Sequence, residues 1–202
     1  MPPAPPIPLP PRAGFGLNSC HSPDRRPQGT AVAIDVLISA ERIQARVDEL
    51  AGQMMRDYGH QPVTIVGVLT GSIMFLADLM RRLDLPLRIA FIQASSYRGE
   101  ATRPGELHVQ SDLLPDLRGR HILVLDDILD TGHTLAHIVR HLRGLQPASV
   151  RVAVLLRKLG RQEEPLEPDY CGFEIPDEFV IGYGLDYNDE HRNLPYIGVL
   201  RP

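Results

Sequence analysis

The sequence predicts an α/β domain with a mainly parallel sheet flanked by helices. Three observations carry this. Continuous apolar runs such as VTIVGVL (Val63 to Leu69) and HILVL (His121 to Leu125) suit strands buried on both faces. Segments with apolar residues at helical spacing follow those runs. Strand–helix–strand successions are βαβ units, and such units build parallel sheets.

The bounds on the chain agree with this. Its 202 residues suit one domain with a real core. Hydrophobic residues make up 43 % and charged residues 23 %, as in ordinary globular proteins. A net charge of −4 argues against a general nucleic-acid binder, although a local basic site is compatible with it. The two cysteines, Cys20 and Cys171, form no CxxC, so neither a zinc knuckle nor a disulfide framework is expected. A reducing cytoplasm is the expected compartment. No run reaches the ~18 apolar residues of a membrane helix. Seven of the first eleven residues are Pro, without the basic start of a signal peptide. Residues 1–32 are therefore expected to be a disordered, polyproline-like extension, and residues 33–202 the domain.

The elements follow in order. Ser39 can cap a helix whose stripe is Ile43, Val47, Leu50, Ala51 and Met54. Gly59 and Pro62 stop it. After strand VTIVGVL and a TGS turn, IMFLADLMRRL is expected to be a helix packing through Ile73, Leu76, Ala77, Met80 and Leu83. LRIAFIQ (Leu87 to Gln93) is the next strand. The polar run Ala94 to Glu106 is long enough to be functional or disordered, and LHVQSDL could return from it as a strand. HILVL follows, then a helix with Leu135, Ile138, Val139, Leu142 and Leu145 inward. SVRVAVLL (Ser149 to Leu156) is another strand, and DEFVIGYGLD and YIGVL are short apolar runs near the end. Ligands should bind at the carboxyl ends of the strands.

The segment DDILDTGH, between a strand ending near Leu125 and a helix starting near Thr134, carries the chemistry. A helix N-terminus offers free N–H groups to a phosphate. Gly132 allows a tight turn there, and Thr131 and Thr134 add hydroxyl donors. The acids need a different partner, because carboxylates repel phosphate. Ribose hydroxyls or a hydrated Mg²⁺ would serve Asp126 and Asp127. Asp130 at the turn could reach the reacting atoms. A single Asp before a helix usually only caps it; three in five positions point to a ligand.

VLDDILDTGHTL resembles the phosphoribosyl-pyrophosphate (PRPP) motif of type I phosphoribosyltransferases. GFEIPDEFVIGYGLDYN, GVLTGSIMFLADLMR and SSYRGE resemble the hypoxanthine-guanine branch of that family, at the expected places. The likeness spans about Val36 to Leu200. It implies the type I phosphoribosyltransferase fold, with a small hood subdomain from the C-terminal segment and a flexible active-site loop. The implied reaction joins a 6-oxopurine to PRPP, with Mg²⁺, and releases pyrophosphate.

The resemblance also implies roles. Asp126 and Asp127 would bind ribose hydroxyls with Mg²⁺ nearby, and Asp130 would be the general base near purine N7, a task suited by a raised pKa. Thr131, Gly132, His133 and Thr134 would hold the 5′-phosphate; many relatives carry Lys where His133 stands. Lys158 would donate to the purine 6-oxo group, Phe179 would stack on the ring, and the Val180 backbone would read its edge. Asp186 would hold Mg²⁺-pyrophosphate through water, and Arg192 would touch pyrophosphate. Leu69, Thr70, Gly71 and Ser72 match the pyrophosphate loop, often with a non-proline cis peptide and often with Lys at Thr70. Ser96 and Tyr97 match the mobile loop that excludes water. Members are usually homodimers or homotetramers.

Two other readings stay open. A PRPP-motif regulator that binds nucleotides and RNA or protein is opposed by Asp130, Lys158 and the acidic charge. An enzyme for another base, xanthine above all, would keep the same chemistry.

Overall fold

The structure is a computed structural model and describes residues 33–96, 107–110 and 114–201. The Pro-rich segment and Tyr97 lie outside the described residues. A six-stranded sheet has the order β4-β3-β2-β5-β6-β7, with β2 Val63–Leu69, β3 Leu87–Ser96, β4 Leu107–Gln110, β5 His121–Leu129, β6 Ser149–Lys158 and β7 Tyr170–Ile175. Five of its strands are parallel; β4 runs antiparallel against β3 as the return strand expected from LHVQSDL.

Alternation along the strands splits the core between the two faces. Leu123 and Leu125 of β5 face α1 (Ala40–Tyr58) and α2 (Ile73–Met80). Ile122 and Val124 face α3 (His133–Gly144). Helix α1 begins where Ser39 Oγ accepts the Arg42 N–H at 3.4 Å, and its expected stripe is fully buried. In α3 the expected stripe is buried except Leu145, which stands at the exposed C-cap.

Helix α2 turns differently from the expectation. Phe75, Leu76 and Leu79 are buried, whereas Ile73 and Met80 are 41 % and 39 % exposed. The segment IMFLADLM is apolar almost all round, so its periodicity cannot choose between adjacent stripes. Tertiary contacts choose: Phe75, Leu76 and Leu79 join one core with α1, while Asp78 between them is held by Gln44 and Tyr183.

Strand β7 was not foreseen. Its run YCGFEI is short, lies between prolines and contains a glycine. Gly172 is there because a Cβ would stand 2.4 Å from Leu155 O on β6. Arg46 of α1 donates to the carbonyls of Cys171 and Gly172 at 2.8 Å each.

A second, three-stranded antiparallel sheet has the order β1-β9-β8, with β1 Ala33–Ile38, β8 Val180–Ile181 and β9 Ile197–Arg201. The hood expected from the C-terminal segment thus also takes in a strand from residues 33–38. Its inward residues Val180, Ile197 and Val199 share one core with α1 and α2. Among the described residues no helix is long and apolar enough to cross a membrane.

Candidate functional site

The sheet order reverses between β2 and β5. From β2 the chain crosses by α2 to β3 on one side; from β5 it crosses by α3 to β6 on the other. Such a switch point opens a crevice at the carboxyl ends of the strands. Pairing of β2 with β5 stops at Gly67 and Leu125, while β5 stays paired with β6 as far as Leu129 and Arg157. The two strands part into a cleft of about 410 Å³, lined by Thr70, Gly71, Asp126, Asp127, Thr134 and Arg192 among others. The expected strand end near Leu125 is therefore corrected. β6 carries β5 four residues further, so Asp126 and Asp127 belong to the strand and only residues 130–132 form the turn.

Asp126 is buried, and its Oδ1 accepts the Asp127 N–H at 3.0 Å. Burial first, then the neighbouring Asp127 charge, pushes its carboxyl well above the usual carboxylate range. Burial also raises Asp127, against the nearby Arg192 charge. Gly71 packs on Asp127: a Cβ at 71 would lie 1.6 Å from Asp127 Oδ2. The peptide between Leu69 and Thr70 is cis.

Gly132 is the N-cap of α3 with φ 89°, a conformation that favours glycine. Thr131 O accepts N–H groups from Glu163 and Glu164 at 2.9 and 3.2 Å. The His133 ring lies between the same two residues, 2.8 Å from Glu163 and 3.3 Å from Glu164. The Glu163 hydrogen bond is the main cause of a raised His133 pKa.

Lys158 ends β6, and its ammonium lies 3.3 Å from Asp130 and 3.4 Å from Asp177. Arg161 lies 3.0 Å from Asp130 and 3.6 Å from Asp177. The expectation of a raised Asp130 is overturned. Burial alone would raise its carboxyl, but the Arg161 hydrogen bond and the Lys158 charge hold it below the usual value. The raised carboxyls are those of Asp126 and Asp127.

Phe179 is 53 % exposed, which suits a stacking surface better than a core position. It meets Tyr187 edge to face, with ring centroids 5.7 Å apart. Val180 is buried beside it on β8. Asp186 pairs with Arg192 at 2.7 Å, and both line the cleft. Ser96 ends β3 opposite Leu107 of β4. Of the sequence-predicted residues, those at 69–71, 126–127, 130–132, 134, 186 and 192 line one cleft, with Lys158 joined to it through Asp130. His133, Phe179 and Val180 do not line it.

The comparisons with known proteins match this geometry. The family model for the phosphoribosyl transferase domain matches residues 37–188. The chain belongs to the phosphoribosyltransferase family. This phosphoribosyltransferase is 43 % identical over 168 residues to the hypoxanthine phosphoribosyltransferase of Haemophilus influenzae, covering 82 % of this chain and 94 % of that one. It is 43 % identical to a hypoxanthine-guanine phosphoribosyltransferase of Staphylococcus aureus, covering 83 % and 94 % of the two chains. The crystal structure of a hypoxanthine-guanine phosphoribosyltransferase from Bacillus anthracis superposes with a TM-score of 0.78 at 37 % identity, over 84 % of this chain and 99 % of that one.

Sequence reasoning missed four charged residues of the site in this phosphoribosyltransferase: Arg161, Asp177, Glu163 and Glu164. The motif KLGR sets Arg161 three positions after Lys158, a spacing that gave no contact signal. Only the fold of segment 159–167 against the α3 N-terminus brings Glu163 and Glu164 to Thr131.

Proposed function

We propose that this chain transfers the 5-phosphoribosyl group of PRPP to hypoxanthine or guanine, giving IMP or GMP and pyrophosphate. The observation that carries the reading is the Asp130–Lys158 pair, 3.3 Å apart, at a cleft that opens beside a glycine-capped helix N-terminus. An acceptor beside a donor fits a purine edge with an N7 proton and a 6-oxo group. Adenine offers a 6-amino group instead, which opposes the Lys158 donor.

In this reading the 5′-phosphate lies on Thr131, Gly132, His133 and Thr134. The ribose hydroxyls donate to Asp126 and Asp127. Pyrophosphate meets Thr70, Gly71 and Arg192, and the purine stacks on Phe179 with the Val180 backbone at its edge. As the C1′–oxygen bond to pyrophosphate breaks, the purine N9–C1′ bond forms, and Asp130 takes the N7 proton. The pyrophosphate leaves with the electron pair, stabilised by backbone N–H groups and Arg192. The segment carrying Ser96 and Tyr97 would exclude water.

Mg²⁺ fits the donors present. Asp126 supplies a buried carboxyl and Asp127 a partly exposed one that lines the cleft, and Mg²⁺ commonly takes one or two carboxylates plus substrate oxygens. Asp186, already held by Arg192, would reach it through water. When bound, the ion would neutralise charge on pyrophosphate. A homodimer or homotetramer in the cytoplasm completes the proposal.

Initial rates with hypoxanthine, guanine, xanthine, adenine and uracil, each with PRPP and Mg²⁺, test it. Turnover of the first two but not adenine is expected. No pyrophosphate release with any base, while nucleotide still binds, would assign the chain to a non-catalytic relative.

A further inference from the structure

We propose that the Tyr183 hydroxyl and the Asp78 carboxylate form a positioning pair that holds the pyrophosphate half of the cleft in shape. The inference rests on the phosphoribosyl-transfer reading above and names two residues that it does not use.

Asp78 lies on α2, the helix that starts directly after the Thr70–Ser72 loop. Its side chain is only 16 % exposed. Oδ2 accepts the Tyr183 hydroxyl at 2.6 Å and Gln44 Nε2 at 2.7 Å, and Oδ1 takes the Arg81 guanidinium. Tyr183 is buried, so its hydroxyl has little water to turn to if the carboxylate is lost.

The backbone around Tyr183 reaches two loops. Tyr183 N donates to Leu194 O at 2.8 Å and Gly184 N to Arg192 O at 2.9 Å. Arg192 Nη1 returns a hydrogen bond to Gly184 O at 2.7 Å, and its Nη2 lies 2.7 Å from Asp186. On the other side, Gly184 has φ 104°, and a Cβ there would stand 2.0 Å from Gly71 O. The turn at 183–184 is thus pressed on the Gly71 backbone while it carries the Arg192–Asp186 pair. Through Asp78 it is pinned to the helix that anchors the far end of the Thr70–Ser72 loop. The Tyr183–Asp78 hydrogen bond is the polar link between these two walls, beside the apolar packing they share.

The other half of the cleft is built separately. Asp130, Lys158 and the 131–134 turn stand on β5, β6 and α3. None of them touches Tyr183 or Asp78 by a hydrogen bond among the described residues. Loss of the pair should therefore weaken pyrophosphate more than nucleoside monophosphate.

The test is calorimetric binding of Mg²⁺-pyrophosphate and of IMP to the full chain, in wild type, Tyr183→Phe and Asp78→Asn. Tyr183→Phe should bind pyrophosphate about tenfold more weakly, as expected for losing a hydrogen bond to a charged group, and IMP within about twofold. The KM for PRPP should rise in step, with the KM for hypoxanthine unchanged. Asp78→Asn keeps a neutral acceptor for Tyr183 but turns an amide donor toward Arg81, so it should weaken pyrophosphate binding by less than Tyr183→Phe and leave IMP binding within about twofold. A purely structural role would lower Tm and weaken both ligands alike; that result, or unaltered pyrophosphate binding in Tyr183→Phe, overturns the inference. A wild-type chain that binds neither ligand overturns the phosphoribosyl-transfer reading itself.

Discussion

Asp130 and Lys158 stand 3.3 Å apart, and each has a second partner of opposite charge, Arg161 for the acid and Asp177 for the amine. Four alternating charges stand together at the edge of the cleft, which Asp130 lines. In this arrangement Asp130 is ionised and ready to accept a proton. Asp130→Asn should lower kcat by about 10²- to 10⁴-fold, the range for removing a general base. IMP affinity should stay within about threefold, because the 131–134 turn proposed to hold the 5′-phosphate is left intact. Steady-state rates and calorimetry check this; weakened binding without a specific loss of turnover would contradict the assigned role.

In the proposed reading, Lys158→Met removes the donor to the purine 6-oxo group. Its side chain is 12 % exposed, so the lost contact is not replaced freely by water. The KM for hypoxanthine should rise by about tenfold or more, and discrimination against adenine should shrink. Competition of the two bases for limiting PRPP measures the ratio.

Arg161→Gln takes away a hydrogen bond that keeps the Asp130 carboxyl low, and burial then acts against Lys158 alone. A depressed carboxyl stays ionised until the pH falls through its folded value. The acid limb of the kcat/KM profile should therefore move to higher pH in the variant. An unmoved limb would show that Asp130 is not the group titrating there.

His133 makes a different pH claim. Its pKa is raised from the ordinary 6.5, chiefly by the Glu163 hydrogen bond. The charged ring is thus present below about that value and is lost as pH climbs through the raised one. The KM for PRPP should rise by about threefold from about pH 6 to about pH 8.5, a modest effect because the ring is exposed. His133→Lys should flatten the dependence. A profile of the same slope in both proteins would reduce His133 to a backbone donor.

Gly71→Ala should fail sterically. Its Cβ would lie 1.6 Å from Asp127 Oδ2, so the loop or the acid must shift. Overpacking of this kind costs about 1–3 kcal/mol. A fall in Tm with lost pyrophosphate binding is expected, and a fully active variant would show that the loop relaxes freely.

Much of the fold was legible from local pattern. Strands buried on both faces, such as Val63–Leu69, are continuous apolar runs, and α1 announces itself by one stripe and a serine cap. Strand β7 and the buried side of α2 were not legible. In β7 the pattern is broken by Gly172, whose reason lies on β6, distant in sequence. In α2 nearly every residue is apolar, so only its tertiary contacts, through Phe75, Leu76, Leu79 and Asp78, decide which side turns inward.

The sequence by itself determined the parallel architecture, the acid-rich segment and the family motifs, because these are runs of neighbouring residues read by period and spacing. Tertiary structure alone decided the electrostatics of the site. Asp130 and Lys158 are 28 positions apart, yet they meet because β5 and β6 end side by side. The expected raised carboxyl proved lowered at Asp130, where two cations converge, and raised at Asp126, where burial and a neighbouring acid converge. A pKa depends on what surrounds a group in space, and no stretch of chain carries that by itself.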